Sequence, residues 1–443
     1  MEEFAGSLIR EWFITLHEYY SPASVLLVAA DAGTCSWSQW RVFSSEPREE
    51  WDNHPTNPYA PVSANYYHNL YSTLASANNV VNWMKENGET LENAPMCEAV
   101  AYFVQGLCLG YLGLIYDQAF AITHESNLGE NPEPVSYQNM LSEALKSLDK
   151  AITLSETASF ILPSEWLPGD SWNQGELARL ARSFAARFLV YGVRGKNENQ
   201  TTDWDRVYRY ASEGIQKDFA PLADDESWYS MYHMYSNYSG WVQTDMYVIH
   251  LMDPNMPARY PQSGLLSDLP QNGKATSNDA RLESDFQYLS SCPFRPERGY
   301  YHFSTYRYQR LDAYLSNRKE PMPEFRKAEN DYLLAEAAVH TGKLQEAADL
   351  MNRSARVTRG RLPLLPPNSD SILTAIHYER MVELMSSGFG IQFFEMRKEN
   401  LLQEGTPLHY PIPGSELILL ERDYYTFGGS TGIPGIDISN GGW

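Results

Sequence analysis

Polar and apolar positions along this chain follow two regimes. One repeats every 3.6 residues, as helices with a buried face do; the other has no sustained period. The helical regime is densest from residue 324, in PEFRKAENDYLLAEAAVHTGKLQEAADLMNRSARVTRG. Ala328, Leu334, Ala335, Ala338 and His340 fall on one side of a predicted helix. Gly342 and Lys343 interrupt it, and Leu344, Ala347, Ala348 and Met351 resume the period. The spacing predicts two helices joined by a short turn, with small Ala residues letting their axes approach. Such a pair cannot bury its apolar face alone and needs stacked neighbours, as tetratricopeptide hairpins do. Beyond Pro363, Pro366 and Pro367, Ser369 or Asp370 is placed to cap a further helix, SILTAIHYERMVELMSSG.

The same period predicts helices at 2–20, 62–86, 93–120, 135–156, 173–193 and 203–216. In the first, Phe4, Leu8, Trp12 and Leu16 form the apolar side. The helices pair in order: 62–86 with 93–120, then 135–156 with 173–193. Residues 203–216 open a third pair that 324–341 completes, and 343–358 with 369–387 make the fourth. Two stretches break the period. Residues 32–61 are rich in turn formers yet hold Trp37, Trp40, Phe43, Trp51 and Tyr59. A loop this long is uncommon unless functional or disordered, and its tryptophans argue against disorder. Residues 217–322 are rich in Tyr, Pro, Asn, Ser and Gly, and read as a loop-rich insertion inside the third pair. The tail beyond 414 reads as irregular.

An ordered set of short motifs runs through the C-terminal part: Arg326-x-Ala328-Glu329, Ala335-Glu336-Ala337, Gly342, Asn352 with Arg356, Glu379-Arg380-x-x-Glu383-Leu384, Gly390 to Arg397, and Tyr410-Pro411-Ile412-Pro413-x-x-Glu416-Leu417. In order and spacing it resembles the C-terminal signature of the SusD/RagB family, nutrient-binding lipoproteins of the outer membrane in Bacteroidetes-type bacteria. The chain departs from that pattern at Gln392, where the family has Arg, and at Glu395, where it has Asp. Its link from Leu384 to Gly390 is about two residues longer. The resemblance implies an all-α, mostly helical, SusD-like fold: one domain over 1–443, with four tetratricopeptide-like pairs at 62–216 and 324–387. The irregular, aromatic-rich regions at 21–61 and 217–322 would carry the ligand. It further implies a surface-exposed, lipid-anchored outer-membrane protein that captures starch-like or other glycans and delivers them to a SusC-like TonB-dependent transporter without breaking a bond. Family members divide between glycan and peptide capture, so peptide remains the alternative ligand.

Composition sharpens this picture. The chain has 30 Tyr and 11 Trp against 17 Phe, and rings with a polar handle suit half-exposed binding surfaces. Sugar rings present C–H faces that stack on Trp and Tyr, while their hydroxyls seek polar side chains. The candidates are Trp37, Trp40, Arg41, Trp51 and Asp52, facing Trp228, Tyr229, Asn237, Tyr238, Trp241 and Gln243. The competing expectation is that half of these anchor long loops in the core. A net charge of −22 disfavours nucleic acid, whose phosphates need Lys and Arg, and direct adhesion to anionic lipid. HExxH and P-loop motifs are absent from the sequence. Neither a catalytic residue, a cofactor nor a metal site is expected. An α/α-toroid glycoside hydrolase stays open as the enzyme alternative, since an acid/base pair of carboxylates leaves no motif. Asp224, Asp225 and Glu226 read as a solvated turn, with calcium as the lesser alternative.

Cys97 and Cys108 share one predicted helix, roughly 16 Å apart along its axis and beyond disulfide reach. Cys35 and Cys292 lie in irregular stretches and are the one conceivable pair. No run reads as a transmembrane helix, and PASVLLVAADAG is too short. The signal peptide and lipobox cysteine that the resemblance implies are not seen near Met1, so they are expected to have been removed or to be missing from an incomplete gene.

Overall fold

A computed structural model describes residues 1–88, 91–127, 133–259, 274–290 and 302–443. The chain opens with α1 (Glu2–His17) and α2 (Ala23–Ala29), then β1 (Gly33–Cys35) and a 3-10 turn at Ser38–Arg41. Two long helices follow, α3 (Pro61–Asn87) and α4 (Ala94–Ile115). Pro61 opens α3, where a missing N–H costs nothing. After β2 (Gln118–Ala119) and β3 (Val135–Ser136) come α5 (Tyr137–Thr157), α6 (Gln174–Tyr191), α7 (Lys196–Asn199) and α8 (Trp204–Ser212). The caps are chemical: Ser136 accepts the Asn139 N–H, Asp203 that of Arg206, and Asn173 forms a reciprocal capping box with Glu176.

The irregular stretch holds α9 (Met231–Asn237), β4 (Val242–Thr244), α10 (Met246–Met252), α11 (Arg281–Ser284), β5 (Phe286–Tyr288), β6 (Tyr306–Tyr308) and α12 (Asp312–Asn317). Helical packing then resumes with α13 (Lys327–His340), α14 (Leu344–Arg353), α15 (Ala355–Thr358), α16 (Ser369–Val382), α17 (Ile391–Lys398) and α18 (Gly414–Leu419). Successive helices stack: α3 on α4, α4 on α5, α5 on α6, and α6 on α8. Helix α8 packs on α13 across the whole insertion, and α13 in turn carries α14 and α16.

Three details differ from the sequence reading. Phe4, in the first turn of α1, is 42% exposed while Leu8, Trp12 and Leu16 are buried. The cap of α16 is Asn368, whose side chain accepts the Ser371 N–H, so neither Ser369 nor Asp370 serves. Helix α13 has no single apolar stripe. Ala328 and Leu334 are half-buried and His340 is exposed, stacking on Trp204 at 4.1 Å, whereas Glu329, Asn330 and Glu336 are buried. The helix is enclosed by neighbours on several sides, and its acids meet buried bases there.

Those bases explain the C-terminal motifs. Arg187 donates to Glu329 at 2.6 and 2.8 Å and to Glu324 at 2.7 Å. Arg380 bridges Glu336 at 2.6 Å and Glu395 at 2.8 Å, and Lys398 reaches Glu336 at 2.6 Å. Burial alone would raise the Glu395 carboxyl, but the charges of Lys398 and Arg380 hold it well below the usual range. Gln392 spans two backbone carbonyls, those of Arg380 and Leu384, at 2.8 and 2.9 Å. The residues of the motif are therefore the polar skeleton of the scaffold.

Helix α4 sits at the centre of the first two pairs. By length and hydropathy it could cross a membrane, a point the sequence reading missed, yet it is almost wholly buried within the fold. Gly106, Gly110 and Gly113 form its close-approach face. A Cβ on Gly106 would lie 2.7 Å from Leu148, and one on Gly110 would overlap the Phe188 ring. Cys97 and Cys108 both lie buried on this helix. The Cys35–Cys292 pairing falls outside the described residues, since Cys292 is not among them.

Candidate binding face

The two irregular regions are joined by backbone. Strands β1 and β4 pair antiparallel in the register Gly33↔Thr244, Thr34↔Gln243, Cys35↔Val242. Thr34 Oγ1 donates to Asp245 Oδ2 at 2.6 Å, and Asp245 caps α10 through the Tyr247 N–H. Continuing the antiparallel register past Cys35 and Val242 brings the next residues on one strand beside the preceding ones on the other. Trp37 and Trp241 therefore meet: their rings stack with centroids 5.7 Å apart and planes 8° from parallel.

Around this pair an aromatic cluster assembles. Tyr235 on α9 lies 4.6 Å from Trp241, and Trp40 meets Tyr235 edge-on at 6.2 Å. Tyr19, just past α1, contacts Tyr235 at 5.6 Å and Tyr20 at 5.1 Å. The Gln39 amide donates to the Tyr19 carbonyl at 2.9 Å, tying the 3-10 turn to the end of α1. Trp37, Trp241, Tyr235, Tyr19 and Tyr20 are half-buried, and Tyr238 is 51% exposed. Arg41 is half-buried, with no hydrogen bond or ion pair from its side chain among the described residues. Trp241 immediately precedes β4, and Gln243 lies within it two residues on. The Trp241 Nε1 and both polar atoms of the Gln243 amide are buried without a hydrogen-bond partner.

The supporting helix α9 is fixed at both ends. Ser230 caps it by accepting the His233 N–H at 3.0 Å, and the Ser230 hydroxyl lies 3.1 Å from Nδ1 of buried His17. His17 Nε2 is 3.0 Å from Glu324, so the scaffold's ion pairs reach this helix directly. At the other end Arg307 donates to the Asn237 carbonyl at 3.1 Å.

The remaining sequence candidates stand elsewhere. Trp40 is buried beneath the cluster. Trp51 is buried against Tyr410 at 4.9 Å and Phe43 at 6.2 Å, under the C-terminal segment. Trp228 is buried on Phe13 at 5.4 Å, and Tyr229 beside it is half-buried. Asn237 is buried, its amide donating to the His233 carbonyl at 2.9 Å. Asp52 is exposed and caps a turn through the His54 N–H. Asp224 likewise accepts the N–H groups of Glu226, Ser227 and Trp228. Among the described residues no cluster of three or more His, Cys, Asp or Glu is placed to hold a metal. Sequence reasoning missed Tyr19, Tyr20 and Tyr235 as members of the cluster. The first two close a stretch read as helix, and only the contacts of Tyr19 with Tyr235 and of Tyr20 with Tyr19 mark them.

A separate cleft of about 600 Å³ lies between α10 and α16, with Met252, Arg356, Leu365, Thr374 and Tyr378 on its walls. One carboxylate, Asp370, lines it among the described residues.

A model described as SusD family matches residues 171–408, more than half of the chain. No curated protein sequence matches it. Among solved structures, a SusD-like carbohydrate binding protein from Bacteroides fragilis aligns with a TM-score of 0.62 at 12% identity, over 89% of this chain and 85% of its own. A SusD homolog from Parabacteroides distasonis gives 0.60 at 13% identity, over 89% and 84%. A crystal structure described with xylogluco-oligosaccharide gives 0.56 at 13% identity, over 89% and 81%. At such identities the likeness establishes the fold.

Proposed function

The chain belongs to the SusD family, and on that premise we propose that it captures oligosaccharide at the cell surface and delivers it to a SusC-like TonB-dependent transporter, without catalysis. The carrying observation is the meeting of Trp37 and Trp241 across β1 and β4, beside half-buried Tyr235 and exposed Tyr238. Rings presented in this way offer C–H stacking to a sugar, and the half-buried Arg41 guanidinium offers N–H donors for its hydroxyls. Trp40, edge-on to Tyr235, and Asn237 on α9 act as framework of that face, whereas Trp51 and Trp228 serve the core away from it, with Tyr229 beside Trp228. In this reading residues 21–61 and 217–322 are the ligand-binding regions, and 62–216 with 324–387 the scaffold. A lipid anchor ahead of the present chain would hold it at the outer membrane. Carbohydrate binding and a xylogluco-oligosaccharide, named for structures of the same fold, support glycan over peptide.

The deciding experiment is calorimetry of the chain against xyloglucan and starch oligosaccharides and peptide pools, with Trp37→Ala and Trp241→Ala alongside. Saturable glycan binding that both variants weaken about tenfold is the expected result. Binding of peptide alone would move the substrate class. Glycan turnover abolished by a single carboxylate substitution would overturn the non-catalytic reading in favour of a glycoside hydrolase.

A further inference from the structure

A small pocket lies where the insertion rejoins the scaffold, away from the aromatic face. Its walls are Asp218 and Ala220 ahead of α9, Arg310, Ala313 and Tyr314 around α12, and Arg326 at the start of α13; its volume is about 260 Å³. Two guanidiniums thus face one cavity. Each offers five N–H donors. Arg310 uses Nη1 alone among the described residues, for the Glu383 carbonyl and carboxylate, both at 3.0 Å. Arg326 makes one hydrogen bond there, a long one from Nη1 to Asp218 Oδ2 at 3.4 Å, and its Nε is buried without an acceptor.

The nearby carboxylates are shared: Asp218 faces Arg326 through Oδ2 alone, and Asp285, 3.9 Å from Arg310, is held by Arg359 at 2.6 Å. Asp218 Oδ1 takes the Lys327 N–H at 2.7 Å, capping α13, and Glu320 takes the Asn317 amide at 2.7 Å. The Tyr308 hydroxyl is fully buried and unpartnered, and feels the charge of both arginines. Burial lowers the pKa of Arg326, and the charge of Arg310 lowers it further. Paired cations with idle donors in a pocket of this size call for an anion.

We propose that this pocket binds one small oxyanion, a sulfate, phosphate or carboxylate group, between Arg310 and Arg326. The group arrives either as a free inorganic ion or as a substituent of a sugar. Planar guanidinium forks match the oxygen spacing of such groups, and the cavity accommodates the group with little of what it is attached to.

The test uses the full chain, with inorganic sulfate titrated at constant ionic strength against chloride, then glucose 6-sulfate against glucose. Calorimetry and thermal melting are the readouts. Sulfate is expected to bind saturably and raise Tm where chloride does not. Arg326→Gln should weaken it about tenfold, the loss of one charge-assisted contact. Ala313 is exposed on α12, so Ala313→Leu narrows the pocket without entering the core. It should keep the wild-type Tm in chloride and lose the response to sulfate. Tighter binding of glucose 6-sulfate than of sulfate, with glucose silent, supports the site and identifies a sugar substituent as the source. The reverse order supports a free ion. A sulfate response no larger than that of chloride, or an Ala313→Leu chain that binds sulfate like wild type, overturns the proposal.

Discussion

The indole of Trp37 stacks on that of Trp241, planes 8° from parallel, although one follows β1 and the other precedes β4. Each ring is half-buried and covers the other, so losing either uncovers its partner. Trp241→Ala is expected to reduce glycan affinity about tenfold, with a smaller loss of Tm, because one strong aromatic contact amounts to roughly 0.5–1.5 kcal/mol. Calorimetry on the folded variant checks it. Unchanged affinity would remove the pair from the binding face.

Gly110 on α4 touches the Phe188 ring so closely that a methyl group there must displace it. Gly110→Ala should cost about 1–3 kcal/mol through overpacking, although Ala favours helix intrinsically. Urea unfolding measures the balance, and a stabilised variant would mean that α6 can retreat.

Arg187 bridges Glu324 and Glu329, and it also donates to the Tyr111 hydroxyl at 2.7 Å. Arg187→Met keeps the bulk and strands two buried acids. The expected cost is about 3–5 kcal/mol at neutral pH, narrowing in acid as those carboxyls take up protons. Chemical denaturation at two pH values tests both halves of this expectation.

Asp117 accepts the Tyr425 hydroxyl at 3.0 Å, and burial pushes its carboxyl up to about 7, against the lowering effect of that bond. The folded chain therefore holds this proton more tightly than the unfolded one. The contribution to stability is complete below the ordinary aspartate range near 4 and is lost as pH rises through about 7. Asp117→Asn should remove this slope and stabilise the chain by about 2 kcal/mol at pH 8. Unfolding curves from pH 5 to 8 decide it, and parallel profiles for the two proteins would refute the assignment.

The helices were legible because their apolar periods are long: 62–86 and 135–156 appear as α3 and α5 with ends moved by a residue or two. So was the split third pair, since α8 packs on α13 across the insertion. The polarity of α13 was not legible. Glu329 and Glu336 look like surface residues until Arg187, Arg380 and Lys398 are brought to them from elsewhere in the chain. At the candidate face, pattern alone located the two regions and not the exposure within them. Trp40 and Trp37 are three residues apart in one irregular loop, yet one is buried and the other half-open. That difference arises from where the 3-10 turn at Ser38–Arg41 points, and no composition encodes it.

The short pairing of β1 with β4 bears on the order of events during folding. Thr34 and Asp245, bonded beside it, are 211 residues apart in sequence. Closing so long a loop is entropically late, after local helix pairs have formed. Until it closes, Trp37 and Trp241 are separate, sticky rings on loose chain. The candidate recognition surface thus doubles as a proofreading mark: only a molecule that has finished folding displays it, and one that stalls displays a liability to aggregate instead.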